Sequence, residues 1–153
     1  MHADIVLFLR VLAAVGMGFV IGWEREVRRQ PAGDRTFSLV AAGAAAFTAL
    51  ATQSFPSGID KTVAAIITGI GFLGAGLVMR TTENQTRGLT TAAAVWSTAA
   101  VGVSCGLGHP TFAFALTLSI VIVLELRHVP FLRALDARRY ARHVTQDDAK
   151  PNP

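Results

Sequence analysis

The residues whose types and spacing could do chemistry are Glu24, Arg25 and Glu26, followed across a short loop by Arg35 and Thr36. Such a cluster could bind a cation, a phosphate headgroup or a partner protein. The same charges also serve commonly to set topology at a membrane interface. Glu24 and Arg28 are one helical turn apart and pair if the helix continues past Trp23. Mg2+ retains several waters, so two carboxylates, Glu24 and Glu26, are enough in number to hold it. Residues two apart on a helix face different ways, which counts against a shared site. His2, His109, His128 and His143 are scattered and have no metal-ligand spacing. There is no Walker A loop, nucleophile elbow or HExxH motif. The expectation is therefore no catalytic residues, no enzyme and no cofactor, with Mg2+ the one metal to consider. A second polar group is Thr90 and Thr91, with Ser97, Thr98 and Ser104 further along. These hydroxyls either bond back to their own helix or line a polar pathway.

The elements that position these residues are apolar. The chain has 153 residues, 52% hydrophobic and 16% charged, with mean hydropathy +0.46. A soluble domain carries about 25% charged residues. Apolar runs cover residues 5–22, 36–52, 62–79, 89–107 and 111–126, near the ~20 residues that cross a bilayer as helix. The expected fold is all-α, a polytopic membrane bundle of five transmembrane helices over residues 1–127. Residues 128–153 form a basic tail, with a short interfacial helix after Pro130 or a solvated, disordered stretch.

Charge placement gives the expected orientation. Of 14 Lys and Arg residues, four follow the first run, two follow the third and six lie beyond the fifth. Five spans put those twelve on one side, which is then the cytoplasm, with the N-terminus outside. The formal charge of +4 thus points to anionic lipid headgroups, not nucleic acid. Arg10 interrupts the first run and should snorkel or pair within the bundle. The single cysteine, Cys105, excludes an intramolecular disulfide and reads as a small buried hydrophobe. No cleavable signal peptide is expected, because the first run leads into Trp23 and a charged loop.

Gly69-Ile70-Gly71-Phe72-Leu73-Gly74-Ala75-Gly76 places four glycines in eight residues of the third run. In a soluble helix each glycine costs about 1 kcal/mol relative to Ala. In a membrane, glycines let a neighbouring backbone approach. The stretch reads as the central, most tightly packed span, with a helix broken around a cavity as the alternative. The charge count puts Gly74 and Gly76 on the side of Glu24, Glu26, Arg35 and Thr90. Together they form one candidate site, with Trp96 as a further packing residue. Small-residue faces on short spans also predict a homo-oligomer, most simply a dimer.

Four segments resemble the MgtC/SapB family of bacterial membrane proteins. They are Gly22-Trp23-Glu24-Arg25-Glu26, Ala32-Gly33-Asp34-Arg35-Thr36, the Gly69–Gly76 stretch, and Gly88-Leu89-Thr90-Thr91-Ala92-Ala93 with Trp96. Their order and spacing make the resemblance specific over about residues 8–126. It implies a five-span inner-membrane domain with a cytoplasmic C-terminus. Longer family members add a soluble C-terminal domain, for which residues 128–153 are too few. Family members often have an apolar residue in place of Asp34, and many have glutamine in place of Ala65. The resemblance implies a regulatory or accessory role linked to growth in low Mg2+, virulence and restraint of the ATP synthase. The alternatives are a cation or small-solute transporter or channel, and an anionic lipid-binding protein.

Overall fold

The computed structural model describes residues 2–80 and 86–126, so the expected tail helix lies outside the described residues. The chain divides into a unit ending at Ile120 and a second beginning at Val121. Every candidate site residue belongs to the first unit.

Leu and Ala, with no interior proline, favour helix throughout the apolar runs. The helices are α1 (His2–Val27), α2 (Asp34–Ser54), α3 (Ile59–Leu77), α4 (Leu89–Gly106) and α5 (Pro110–Glu125). A single 3-10 turn, Pro56–Gly58, joins α2 to α3. Between α3 and α4, β1 (Met79–Arg80) and β2 (Thr86–Arg87) form a two-rung antiparallel ladder. The all-α membrane bundle is therefore as expected. The α1, α2 and α4 helices, and the stretch Pro56–Leu77, are long and apolar enough to cross a membrane. With 16 residues, α5 is a shorter apolar helix. At 1.5 Å per residue it reaches about 24 Å against a hydrocarbon core of ~30 Å.

The packing centre differs from the expectation. It is α2, which packs against both α1 and α4. Its small side chains face glycines on each neighbour. A Cβ on Gly18 of α1 would lie 2.6 Å from the Phe37 carbonyl oxygen and 2.9 Å from the Ala41 Cβ. On the α4 side, a Cβ on Gly106 would lie 2.7 Å from the Ala45 carbonyl oxygen. One on Gly102 would collide with the Ala41 carbonyl oxygen. Gly18 and Gly22 of α1, and Gly102 and Gly106 of α4, are each spaced GxxxG, which puts the two glycines of a pair one turn apart on one face. Ala41, Ala45 and Phe37 are wholly buried as a result.

The α3 helix is continuous and lightly packed, which corrects the sequence-level reading of Gly69–Gly76. Only Ile70 of that helix is buried. Nothing lies within 4 Å of a Cβ placed on Gly69, Gly71 or Gly76, and Gly74 meets only the Ala92 Cβ at 3.7 Å. The physical reason is that no neighbouring backbone approaches these glycines: Gly69 borders an open groove toward α2, and Gly74 meets α4 only at ordinary van der Waals distance. Glycine density alone therefore does not locate close contacts.

The junction into α4 turns on Gly88. Its φ is 90°, a left-handed conformation that costs an L-residue about 1–2 kcal/mol. A Cβ there would also collide with the Leu77 carbonyl oxygen at the end of α3. Both effects act against a side chain, so Gly88→Ala is expected to reduce folded yield strongly. Size-exclusion chromatography in detergent, with thermal unfolding of the monodisperse fraction, measures it. A parent-like profile would contradict the tight α3–α4 junction.

Candidate functional site

The C-terminal turns of α1 carry the charged cluster. A Cβ on Gly22 would lie 2.5 Å from the Asp34 Cα, so the start of α2 rests directly on α1. The intervening loop begins with a helix stop. Gln30 N–H donates to the Arg25 carbonyl and Arg29 N–H to the Glu26 carbonyl. This is a Schellman pattern, with Arg29 in the left-handed conformation at φ 53° where glycine is usual. The chain then returns through Pro31 into α2, where the Asp34 Oδ1 accepts from the Arg35 N–H at 2.6 Å.

Glu24 and Arg25 are both buried, at 7% and 5% exposure. The Arg25 Nε and Nη2 donate to the two carboxylate oxygens of Glu24. Arg28 approaches the same carboxylate, its Nε 3.8 Å from Oε1, so the expected one-turn pair is present. Two guanidinium groups thus face one carboxylate and leave the trio with a net charge of +1. The cations sit beside the α1 C-terminal carbonyls, where the helix dipole favours positive charge.

The remaining candidates are separate from this pair. Glu26 is exposed. Its carboxylate lies across Gly33, where a Cβ would collide with Oε2. Arg35, Thr36 and Thr90 are exposed, whereas Thr91 is 1% exposed. Glu24 and Glu26 therefore diverge, and both Glu24 oxygens are engaged by Arg25. This donor set does not fit a shared Mg2+ site. Among the described residues no group of three His, Cys, Asp or Glu side chains converges.

On α4 three hydroxyls bond back to their own helix. Ser97 donates to the Ala93 carbonyl at 2.9 Å, Thr98 to Ala94 at 2.8 Å and Ser104 to Ala100 at 2.7 Å. Trp96 and Phe72 are exposed. The Gly69–Gly76 stretch lies on α3, which packs against α4 and α2, whereas the Glu24 and Arg35 end is formed where α1 meets the start of α2. An apolar groove of about 770 Å³ runs between α2 and α3, lined by Gly43, Phe47, Phe55, Ala65, Gly69 and Leu73.

Sequence reasoning left the partner of Arg10 open. Its Nη1 donates to the Gly106 carbonyl at 2.9 Å, and its guanidinium lies against Gly108. There α4 ends in a second Schellman pattern, with Gly108 N–H bonded to Cys105 and His109 N–H to Ser104. The available sequence signal was a lone cation within an apolar run, which requires a partner.

A family model described as the MgtC family matches residues 11–130. The chain is 47% identical over 115 residues to "Protein MgtC" of Salmonella typhimurium strain LT2, covering 75% of this chain and 48% of that protein. It is 41% identical over 131 residues to "Protein MgtC" of Brucella abortus strain 2308, covering 85% and 54% respectively. An uncharacterized protein of Haemophilus influenzae is 31% identical over 153 aligned positions, covering 93% of this chain and 63% of its own length. The chain thus spans about half the length of the curated MgtC relatives it matches. No solved structure matches it.

Proposed function

The chain belongs to the MgtC family, and from that premise we propose that it is a regulatory, non-enzymatic protein of the bacterial inner membrane. It acts through helix–helix contacts, with itself as a homodimer and with another membrane protein. An ATP synthase restrained under Mg2+ limitation, including during infection, is the partner the family resemblance implies. Charge placement supports an outside N-terminus and a cytoplasmic C-terminus.

The observation that carries this reading is the light packing of α3. That helix is unbroken and has only Ile70 buried, and Gly69, Gly71 and Gly76 have open space where a Cβ would lie. A neighbouring helix could approach this backbone closely. Solute transport finds less support. The Ser97, Thr98 and Ser104 hydroxyls bond to their own helix, and the groove beside α3 is apolar.

Leucine at Gly71 or Gly76 has room in the isolated chain and would block a close helix contact. We expect Gly71→Leu and Gly76→Leu to keep the parent's thermal stability in detergent while losing self-association and capture of membrane partners. Cross-linking in membranes and tagged pull-down measure both. Parent-like association in both variants would sink the contact reading. Cation flux in proteoliposomes would favour transport instead.

A further inference from the structure

The groove of about 770 Å³ between α2 and α3 is apolar along its walls and charged beyond one end. Its α2 wall carries Leu39, Gly43, Phe47 and Leu50, spaced three or four residues apart and so on one helix face. Gly69 of α3 lies in the facing wall. Gly43 and Gly69 both have nothing within 4 Å of a Cβ position, so the groove is open along its middle. Thr62 is the one polar side chain of the lining, and it donates to the Gly58 carbonyl four residues back at 3.4 Å. In a bilayer such a space is filled, because an empty one forfeits the contacts of its walls.

Its dimensions decide between a hydrocarbon chain and a helix. From Leu39 to Ala51 the α2 wall is about 18 Å long at 1.5 Å per residue. A volume of 770 Å³ over about 18 Å gives a mean cross-section of about 43 Å². A helix about 10 Å across needs roughly 80 Å² and does not enter. Extended hydrocarbon chains, whose carbons sit ~4 Å from their neighbours, need roughly 15–20 Å² each, so two fit side by side. The length is close to the ~15 Å that one leaflet contributes to a ~30 Å hydrocarbon core.

Charge enters beyond the Leu39 end. Counting back along the same face, Thr36 is three residues before Leu39 and Arg35 four, and both are exposed. The nearby carboxylates are held on other sides. The Asp34 Cα rests on Gly22 of α1, and its Oδ1 accepts the Arg35 N–H. Glu24 takes Arg25 and Arg28, and Glu26 lies across Gly33. Gly33 is the N-cap of α2 and has no side chain to cap the first turn, so the positive helix end adds to the Arg35 charge. The geometry points to a phospholipid site, with two acyl chains in the α2–α3 groove and an anionic phosphate headgroup at Arg35, Thr36 and the start of α2. It uses none of the basic residues after Pro130. It is also independent of the α3 contact proposed above, since Gly71 and Gly76 do not line the groove.

The test is native mass spectrometry of the full chain released from detergent with phosphatidylglycerol, phosphatidylcholine or diacylglycerol at equal concentration. We expect one phosphatidylglycerol per chain to be retained most strongly, phosphatidylcholine less and diacylglycerol least. Gly43→Leu and Gly69→Leu each put a side chain into open space in the groove. Both should keep the parent's thermal stability and lower phosphatidylglycerol retention about tenfold or more, the scale of two buried methylenes. Arg35→Gln, at an exposed position, should remove most of the preference for phosphatidylglycerol over phosphatidylcholine. Gly71→Leu lies outside the groove and should retain lipid like the parent, whether or not it loses self-association, so the two readings fail separately. Parent-like retention in both Gly43→Leu and Gly69→Leu, or a loss in Gly71→Leu equal to theirs, overturns the groove as the site. Equal retention of phosphatidylglycerol and phosphatidylcholine by the parent overturns the headgroup assignment. Lipid-free dimers that Gly69→Leu dissociates would give the groove to a second copy and overturn both.

Discussion

Glu24→Gln is expected to destabilise the folded chain by about 3–5 kcal/mol, the scale for breaking a buried ion pair from one side. The substitution changes little volume, so packing is nearly unaffected. What changes is charge. Arg25, at 5% exposure, loses the carboxylate that both of its donating nitrogens address. Arg28 loses the same partner. Two guanidinium groups are then left beside each other, one of them buried. Arg25→Gln should cost less, because Arg28 remains near Glu24 and offsets part of the loss. The double variant Glu24→Gln/Arg25→Gln should recover much of the single-variant cost, since it removes both buried charges. Glu26→Gln and Arg35→Gln alter exposed groups and should stay within about 0.5 kcal/mol of the parent. Thermal unfolding of the five variants in one detergent gives the ranking. A Glu24→Gln chain as stable as Glu26→Gln would mean that the pair is not buried in the folded protein.

This ranking also bears on function. A carboxylate held by two guanidiniums is poorly placed to bind a cation. The exposed rim of Glu26, Arg35 and Thr36 stays accessible to a partner or headgroup. Sequence spacing could bring these residues to one end of the bundle. It could not separate a buried pair from an exposed rim, because residues 24 and 26 differ only in helical phase. That phase is fixed by Gly22, whose close contact with Asp34 decides which side of α1 is covered.

The same physics explains what was legible in the fold. Five apolar runs and their charged separators point to the all-α membrane bundle, because run length and helix rise are both local properties. The packing centre is non-local. It depends on which glycines meet small residues on another helix. Gly18 and Gly22 show the one-turn spacing in the sequence itself. Gly102 and Gly106 share that spacing, but the denser Gly69–Gly76 run draws a sequence reading toward α3. Close contact at α2 requires complementary surfaces. Ala41, Ala44 and Ala45 supply these, and they are as ordinary in composition as any alanine.

Gly102→Ala and Gly71→Ala should therefore change stability in opposite directions, although each adds one methyl group to a membrane helix. At Gly102 the new Cβ collides with the Ala41 carbonyl oxygen and lies 2.8 Å from the Ala44 Cβ. Neither obstacle is the end of a flexible side chain, so α4 must move away from α2 along its buried face. Overpacking of this kind costs about 1–3 kcal/mol, and more where backbone meets backbone. The gain in helix propensity from replacing glycine is about 1 kcal/mol, and the collision outweighs it. At Gly71 nothing lies within 4 Å, so the propensity gain stands alone and the monomer should become slightly more stable. Gly102→Leu should lose the folded state altogether, while Gly71→Leu should keep it. Folded yield and thermal midpoints in detergent, measured on all four variants, decide the matter. Gly102→Ala at parent stability together with a destabilised Gly71→Ala would return the packing centre to α3. The expected order keeps it on α2 and leaves the α3 glycines available for contacts outside the chain.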